Sequence, residues 1–393
     1  MSESRGKGAL ASAMVVATLF VADVRAANAP GPPQNVVRTP PRTDRSFGGV
    51  RGITVGPIEN AYHPGLGYGS KVFDRTLDET RAMGGTWIAI TPFGRVADAT
   101  GRGIDPTFEK PFAENVEDVK RAVEAAHARG LSVMIVPHLW VESGEWRATI
   151  DPKSDAGWAA WTESYRAFVL AWAKVAEATH VELLSAGVEL RSWVTTPRAP
   201  SFVDVIRSIR RVYSGRLTYS ANWDDVEDTV ILGDVDVVGI NAFYPLADKD
   251  GASEEELRRG GERVRDRVRA LADAWHKPVL FTEIGYTTRP DPAIKPWEWP
   301  DGMKQVRVDE DAQALAYHAL VSPLLDEPAF AGFFVWRVYS DPDDVSQEAE
   351  WGFSPRGKVA ELVVRDAFAA PWASDAPRRL GWGRRARQPG VFP

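Results

Sequence analysis

The sequence contains no cysteine among its 393 residues. This absence excludes disulfide bonds, thiolate metal ligands and a cysteine nucleophile. Histidine is also scarce, with six residues, and none of them forms an HExxH or HxH pattern. Because a catalytic zinc site usually needs such closely spaced imidazoles, we expect no metal site.

A strongly basic composition is missing as well. The chain has 47 Lys and Arg against 54 Asp and Glu, a formal net charge of −7, so we expect no nucleic-acid partner. The share of hydrophobic residues is 44% and that of charged residues 26%, which is typical of a globular protein. A chain of this length can bury enough hydrophobic surface for a stable core without disulfide bonds or other covalent cross-links. Tryptophan, by contrast, is abundant at 15 residues.

The N-terminal apolar stretch, residues 9–22, is shorter than the roughly 20 residues that a membrane span needs. It follows two basic residues and precedes small residues that include Ala26 and Ala29, which is the pattern of a secretory signal peptide. We predict a signal peptide over residues 1–29, export to the periplasm or the extracellular space, and no stable membrane span after cleavage. An uncleaved N-terminal anchor is the alternative.

The remaining chain divides into three parts. Residues 30–47 are rich in proline and polar side chains, which predicts a linker. Residues 48–372 carry the hydrophobic patterning of a single folded domain. Residues 373–393 are basic and interrupted by glycine and proline, which predicts a disordered tail. Nothing in the sequence indicates an oligomeric state.

Eight short apolar runs recur through the predicted domain, and amphipathic stretches lie between most of them. The runs are RGITVG, TWIAIT, LSVMIVP, VELLSAGVE, RLTYSAN, VDVVGIN, PVLFTEIG and FAGFFVW. They are apolar on both faces, as the buried strands of a parallel sheet are. Eight strand–helix units predict an α/β fold, a single (β/α)₈ TIM barrel with loop insertions. A doubly wound sheet is less favoured, because no GxGxxG or GxxxxGK[ST] motif follows the first run.

Two glutamates end predicted barrel strands: Glu189 closes the fourth and Glu283 the seventh. The carboxyl ends of barrel strands share one face, where active sites lie, so we expect both side chains there. Two carboxylates on either side of a sugar can hydrolyse a glycosidic bond. One protonates the leaving oxygen, and the other attacks the anomeric carbon or activates water. Alternatively, each glutamate is a surface group at a strand end or a buried ion-pair partner for nearby Arg191 or Arg289.

Aromatic and polar side chains follow the other predicted strands at the same end. Aromatic rings stack on the apolar faces of sugars, while amides and imidazoles bind hydroxyl groups. The side chains that we predict to bind substrate are His138, Trp140, Asn222, Trp223, Asn241, Tyr244 and Trp336.

The order of motifs resembles glycoside hydrolase family 113, a family of β-mannanase-type enzymes. The motifs are RGITVG, HLWVESGEWRATI, GVEL, ANWDDV, GINAFYPL, TEIGY and FVWRVYSDPDD. This family belongs to a large clan of retaining barrel hydrolases whose acid/base and nucleophile close strands four and seven. The resemblance covers nearly the whole predicted barrel. It implies that Glu189 is the acid/base and Glu283 the nucleophile, that Tyr244 contacts the nucleophile and that Trp336 lies under the cleaved sugar.

The implied activity is hydrolysis of a β-linked polysaccharide by double displacement, most closely that of an endo-β-1,4-mannanase. Such a mechanism requires no metal or organic cofactor. Two alternatives stay open. One is a hydrolase of another β-glycan, such as a cell-envelope or matrix polysaccharide, and the other is a non-catalytic barrel that binds carbohydrate.

One residue departs from the clan pattern. Much of the clan has asparagine immediately before the acid/base, where it binds the sugar 2-hydroxyl, but this chain has Val188. Valine cannot donate a side-chain hydrogen bond, so we expect His138 or Asn222 to contact the hydroxyl instead.

The role of an acid further implies a raised pKa for Glu189. We expect the apolar neighbours Val188, Leu190 and Trp193 to contribute by desolvation, and the charge of Glu283 to act in the same direction.

Overall fold

The computed structural model describes residues 47–57, 63–107, 110–298, 307–343 and 351–375. In these residues eight parallel strands close into a barrel with helices around it, which confirms the predicted (β/α)₈ fold. The predicted signal peptide, most of the predicted linker and most of the predicted basic tail lie outside the described residues.

The barrel strands pair in chain order, and each hydrogen-bonds in parallel to its neighbours. They are β1 (Val50–Gly56), β2 (Trp87–Ile90), β4 (Ser132–Ile135), β6 (Leu183–Val188), β7 (Arg216–Asn222), β8 (Val237–Asn241), β9 (Val279–Ile284) and β10 (Phe330–Tyr339). Two short strands, β3 (Phe93–Val96) and β5 (His138–Val141), form a separate parallel pair beyond the ends of β2 and β4. The fourth and seventh barrel strands are therefore β6 and β9.

Eight α-helices accompany the strands in the part of the chain that the structure describes. They are α1 (Lys71–Ala82), α2 (Phe112–Ala128), α3 (Asp155–Ala178), α4 (Arg191–Val194), α5 (Ala199–Arg210), α6 (Glu254–Trp275), α7 (Glu310–Val321) and α8 (Val359–Ala369). The short connection between β7 and β8 holds two 3₁₀ helices in place of an α-helix, Val226–Asp228 and Val230–Asp234. None of the helices in the described ranges is both long and apolar enough to cross a bilayer.

The start of α6 illustrates how the sequence sets a helix boundary. The Ser253 hydroxyl accepts the Glu256 N–H at 3.3 Å, and the Glu256 carboxylate accepts the Ser253 N–H at 2.8 Å. This capping box satisfies N–H groups that have no partner within the helix. Three glutamates in the first turn also interact favourably with the positive end of the helix dipole.

The core has two layers, and alternate residues of β10 belong to different ones. The ring of Phe333 packs against Phe368 of α8 at 5.4 Å between centroids, in the layer between strands and helices. Phe334 points the other way, into the barrel, where a side-chain carbon at Gly52 would lie only 2.3 Å from its ring. Gly52 therefore leaves the space that this ring fills inside the barrel.

The folded region is slightly longer than the predicted domain. Phe47, which we assigned to the linker, is buried and meets the Trp87 ring edge-on at 5.8 Å. At the other end, Asp375 forms a 2.7 Å ion pair with Arg51, whose guanidinium also lies over the Trp372 ring. These contacts join the first and last described segments at the base of the barrel.

Candidate active site

The backbone around Glu189 is fixed between two strands. Glu189 follows the last residue of β6, and its N–H donates to the Ser220 carbonyl of β7 at 2.9 Å. The next N–H, of Leu190, donates to the Tyr219 hydroxyl at 2.7 Å. Glu189 has a φ of 50°, in the left-handed region that few residues other than glycine adopt. The fold holds this residue in an uncommon conformation, which is a frequent property of functional sites.

The Glu189 carboxylate is buried, with the whole residue 7% exposed, and it accepts three hydrogen bonds. Asn241 donates to Oε1 at 3.0 Å. On Oε2, the Trp146 indole donates at 2.9 Å and the Arg147 guanidinium at 2.6 Å. Arg147 is held in turn by the Leu139 carbonyl, which accepts from its Nε at 3.0 Å.

Glu283 lies in β9 in register with Asn241 of β8, and its side chain is also buried. Its Oε1 accepts no hydrogen bond from the described residues. Burial, and then the charge of Glu189, raise the pKa of Glu283 well above its usual range. Arg147, Arg337 and Asn241 act in the opposite direction without cancelling the effect. The two glutamates are therefore close enough to interact, yet have very different surroundings.

Asn241 connects the pair. Its side-chain oxygen accepts the Thr282 hydroxyl at 2.9 Å, and this bond directs the amide nitrogen towards Glu189. The Asn241 side chain also favours the ionised form of Glu283. Asn241 thus lies at the centre of the site.

His138 lies beside Glu283, with 3.4 Å between Nε2 and Oε1. Its ring is placed between Phe93 and Trp336, at centroid distances of 5.1 and 5.6 Å. Burial lowers the pKa of His138 well below its usual range, so the imidazole is neutral. Neither ring nitrogen forms a hydrogen bond within the described part of the chain, and Nε2 faces the Glu283 carboxyl group.

Trp336 completes this group. It lies near the end of β10 and is partly exposed, with the Arg337 guanidinium 4.8 Å from its ring centroid. The structure therefore brings together five of the nine predicted site residues, namely Glu189, Glu283, His138, Asn241 and Trp336.

The other four predicted residues lie in different surroundings. Asn222 donates its amide to Asp224 at 2.6 Å. Trp140 is 52% exposed on β5. Trp223 contacts the ring of Tyr244 at 5.7 Å. Binding of substrate by these four side chains remains a prediction.

The contact expected between Tyr244 and the nucleophile is not formed. The Tyr244 hydroxyl is buried and has no hydrogen-bond partner among the residues described. Its ring packs against Trp223 and Phe281, and the Arg267 guanidinium of α6 lies 4.9 Å from its centroid. These neighbours place the Tyr244 ring in the hydrophobic layer between strands and helices.

The ion-pair alternatives for the two glutamates are wrong. Arg191 binds Asp224 and Asp225, and Arg289 binds Glu298 at 3.2 Å. The partner of Glu189 is Arg147, which sequence reasoning missed although it lies in the HLWVESGEWRATI motif. The motif contributed to the family resemblance, but it did not predict that this loop contacts the end of β6.

The apolar surroundings expected for Glu189 are also wrong. Val188 points into the barrel core, and the Trp193 indole donates to the Ser201 hydroxyl at 2.8 Å while its ring packs on Phe202. Because strand-end side chains alternate in direction, neighbours in sequence do not cover the carboxylate. The Glu189 carboxylate accepts hydrogen bonds from N–H donors instead.

Two buried carboxylates at the ends of the fourth and seventh strands of a (β/α)₈ barrel, beside a neutral imidazole and a tryptophan, define the site of a glycoside hydrolase. The sequence profile of Glycoside Hydrolase Family 113 matches residues 67–358, and the chain belongs to this family. The resemblance seen in the motifs is thereby confirmed.

Solved structures are similar over most of the chain. A GH113 β-mannanase, AaManA from Alicyclobacillus acidocaldarius in complex with ManMIm, is 26% identical with a TM-score of 0.69, covering 81% of this chain and 96% of its own. A GH113 β-1,4-mannanase is 21% identical with the same TM-score and covers 81% and 98%. The β-glucuronidase of Faecalibacterium prausnitzii, 16% identical with a TM-score of 0.56, shares the fold over 48% of its length and 81% of this chain. No similar sequence was found among curated proteins.

Proposed function

We propose that this chain hydrolyses β-1,4-linked mannan-type polysaccharides internally and with retention of anomeric configuration. The observation that carries the proposal is the buried pair of Glu189 and Glu283 at the ends of β6 and β9, joined through Asn241. Membership of family 113 and the similarity to β-mannanases support the choice of substrate.

The first step forms a glycosyl-enzyme. The ionised Glu283 carboxylate forms a bond to the anomeric carbon while the bond from that carbon to the leaving oxygen breaks. Glu189 gives its proton to the departing oxygen, which leaves as a sugar hydroxyl. The carboxylate formed on Glu189 is stabilised by the N–H groups of Trp146, Arg147 and Asn241.

The second step releases the product. Glu189, now ionised, takes a proton from water as the water oxygen bonds to the anomeric carbon. The bond to Glu283 breaks and its carboxylate is restored. Two inversions leave the β configuration unchanged.

The remaining residues of the site bind and orient the sugar. In this proposal neutral His138, which lies beside Glu283, hydrogen-bonds a hydroxyl next to the anomeric carbon and takes over the function that Val188 cannot perform. Trp336 offers its ring to the apolar face of the same sugar.

The N-terminal pattern supports export of the enzyme. Polymeric mannan is too large to enter a cell, so a hydrolase that acts on it needs to leave the cytoplasm. Residues 1–29 supply the signal peptide in this proposal.

Product profiling tests the proposal. Purified protein is incubated with β-1,4-mannan, β-1,4-glucan, β-1,4-xylan and peptidoglycan, and released oligosaccharides are separated by chromatography. We expect short manno-oligosaccharides of several lengths from mannan. Release from another polymer alone would favour the alternative β-glycan hydrolase, and no release from any polymer would favour a binding barrel.

A further inference from the structure

An open cavity of about 500 Å³ lies outside the catalytic site. Sites for small ligands typically measure roughly 300–1,000 Å³, so the cavity has room for a ligand. One wall comes from the end of the β5–α3 loop and the first turn of α3, and the other from α4 and the turn that leads to α5. The residues of these walls include Asp151, Lys153, Trp158, Ser192, Thr196 and Arg198.

The cavity lies at the active end of the barrel, on the Glu189 side of the catalytic pair. Both walls belong to loops that follow strands, and such loops gather at the face where active sites lie. The helix α4 begins at Arg191, whose guanidinium lies 4.9 Å from the ring centroid of Trp146. Trp146 in turn donates to Glu189 at 2.9 Å. The next residue of α4, Ser192, donates its hydroxyl to the Ile150 carbonyl and so joins the two walls.

Two ion pairs set the charge of the cavity. The Lys153 ammonium donates to Asp151 at 2.9 Å, and the Arg198 guanidinium pairs with Asp155 at 2.7 Å. The side chains of Lys153 and Arg198 are 80% and 40% exposed, so both cations can reach a ligand. Because the charges within each pair cancel, these groups do not attract an anion in preference to a neutral molecule. They therefore favour a neutral, polar ligand.

The polar groups of the cavity offer both donors and acceptors. The Thr196 hydroxyl donates to the Ser192 carbonyl at 3.0 Å, and the Ser192 hydroxyl also uses its proton within the protein. Each oxygen keeps lone pairs that can accept a hydrogen bond from a ligand. The ammonium of Lys153 and the guanidinium of Arg198 carry more N–H groups than one ion pair uses. Since a sugar hydroxyl both donates and accepts, this combination of groups matches it.

Trp158 and Pro197 supply the apolar part of the cavity wall. The Trp158 ring is held between the Arg198 guanidinium and the Trp193 ring, each 5.7 Å from its centroid. A sugar ring combines an apolar face with hydroxyl groups around its edge, and an aromatic wall beside polar groups suits both. The wall is therefore rigid and has the mixed character that a carbohydrate needs.

We propose that this cavity is a second carbohydrate site, which binds a neutral sugar unit of the polysaccharide on the leaving-group side of the cleaved bond. The choice of sugar unit rests on the proposed function, in which Glu189 gives its proton to the leaving oxygen and so faces the departing part of the chain. A sugar unit bound in the cavity keeps a long chain in the cleft. A substrate too short to reach the cavity gains nothing from it.

Kinetics on long and short substrates test the site. We expect Lys153→Ala and Arg198→Ala each to raise KM for polymeric mannan about three- to tenfold, as the loss of one or two hydrogen bonds predicts. The KM for the shortest oligosaccharide that the enzyme cleaves should not change. Both side chains are exposed, and exposed ion pairs contribute little to stability, so the variants should fold.

Lys174→Ala is the matched control for the loss of a positive charge. Lys174 is exposed and belongs to α3, but it lies near the end of that helix opposite to Trp158. This variant should leave KM unchanged for substrates of every length. An unchanged KM for mannan in both Lys153→Ala and Arg198→Ala would overturn the proposal, and so would an equal rise for long and short substrates.

Affinity electrophoresis separates failure of this site from failure of the proposed function, because it needs no turnover. Protein with Glu283→Gln is run in native gels that contain neutral mannan or an acidic polyuronate. We expect mannan to retard it, and Lys153→Ala or Arg198→Ala in the same background to reduce the retardation. Equal retardation, none at all, or retardation by polyuronate alone would overturn the proposal. If retardation is as expected but the wild-type protein hydrolyses no polymer, the carbohydrate site stands and the proposed function falls.

Discussion

At the scale of single residues, the two glutamates differ in surroundings far more than in sequence context. Each lies at the end of a short apolar strand, and each is nearly inaccessible to solvent. Glu189 is surrounded by N–H donors, while Glu283 is adjacent to neutral His138. In the proposed mechanism one side chain, Glu189, cycles a proton, and the other, Glu283, forms a covalent bond to the sugar.

Removal of the nucleophile should abolish activity. The carboxamide of Glu283→Gln cannot form the glycosyl-enzyme, so we expect kcat on mannan to fall by about three orders of magnitude or more. Glu182→Gln is the control, because Glu182 directly precedes β6 at the opposite end of the barrel and should affect stability rather than turnover. Reducing-sugar assays measure both. Substantial activity in Glu283→Gln would show that another residue is the nucleophile.

Removal of the acid/base should depend on the leaving group. We expect Glu189→Ala to lose roughly 10²–10⁴-fold in rate on manno-oligosaccharides, but little in the first step on an activated aryl glycoside, whose phenolate leaves without a proton. The glycosyl-enzyme then accumulates, and azide should restore turnover and give a β-glycosyl azide. An α-glycosyl azide would contradict retention.

The sequence predicted the glutamate pair because strand ends are visible as breaks in apolar runs and a barrel gathers them on one face. It did not predict Arg147 or Trp146. Both residues lie about forty positions before Glu189 in the sequence. Their contact with it depends on the conformation of one loop, and the periodicity of hydrophobic residues does not predict loop conformation. It also did not predict that the Tyr244 ring packs against Trp223 and Phe281, with its hydroxyl forming no hydrogen bond within the described residues.

At the scale of elements, the loops after the strands shape the cleft. The loop between β5 and α3 carries Trp146 and Arg147, which donate to Glu189, and the loop between β9 and α7 carries Trp297. This tryptophan is 43% exposed and stacks on Trp223 at 5.3 Å with an interplanar angle of 22°. Ion pairs of Glu298 with Arg289 and Lys295 hold the loop in place.

Trp297 is exposed and stacked on a second ring, so it is suited to bind a sugar unit of the substrate that is distant from the cleaved bond. We expect Trp297→Ala to raise KM for long manno-oligosaccharides severalfold and to leave KM for the shortest cleaved substrate unchanged, since one ring contact contributes about 1 kcal/mol. Leu362→Ala, at an exposed position on α8, is the control. An equal rise in KM for all substrate lengths would argue against a distant sugar site.

The eight strand–helix units were predictable because each strand is apolar on both faces and most helices have a clear apolar side. The separate β3–β5 pair was not, because LSVMIVPHLW reads as one strand with its loop. The structure divides it between β4 and β5 at Val136 and Pro137, and proline cannot donate a ladder hydrogen bond.

At the scale of the whole molecule, the barrel closes where β1 pairs with β10, so the first and last strands are neighbours. The sequence predicted this closure through the number and spacing of its strands. It could not assign the short segments at either end, Phe47 and Ala373–Asp375, because their burial depends on contacts with distant parts of the chain.

The site carries a cost in stability. The pKa of Glu283 is raised in the folded state, so its protonated form contributes stability below the pKa of the unfolded chain. That contribution is lost as pH rises through the folded value. Glu283→Gln stays neutral, so in urea unfolding it should match wild type at about pH 4 and be more stable at about pH 8. Equal free energies of unfolding at both pH values would contradict the raised pKa.

The central claim is that Glu189 and Glu283 hydrolyse β-1,4-mannan by double displacement. Its most direct test is ¹H NMR of the anomeric protons during the first minutes of hydrolysis of a manno-oligosaccharide, before mutarotation equilibrates the product. The account predicts that the β-anomer of the new reducing end appears first and the α-anomer follows slowly. First appearance of the α-anomer, or no hydrolysis of the β-1,4-linked mannosyl substrate, would contradict it.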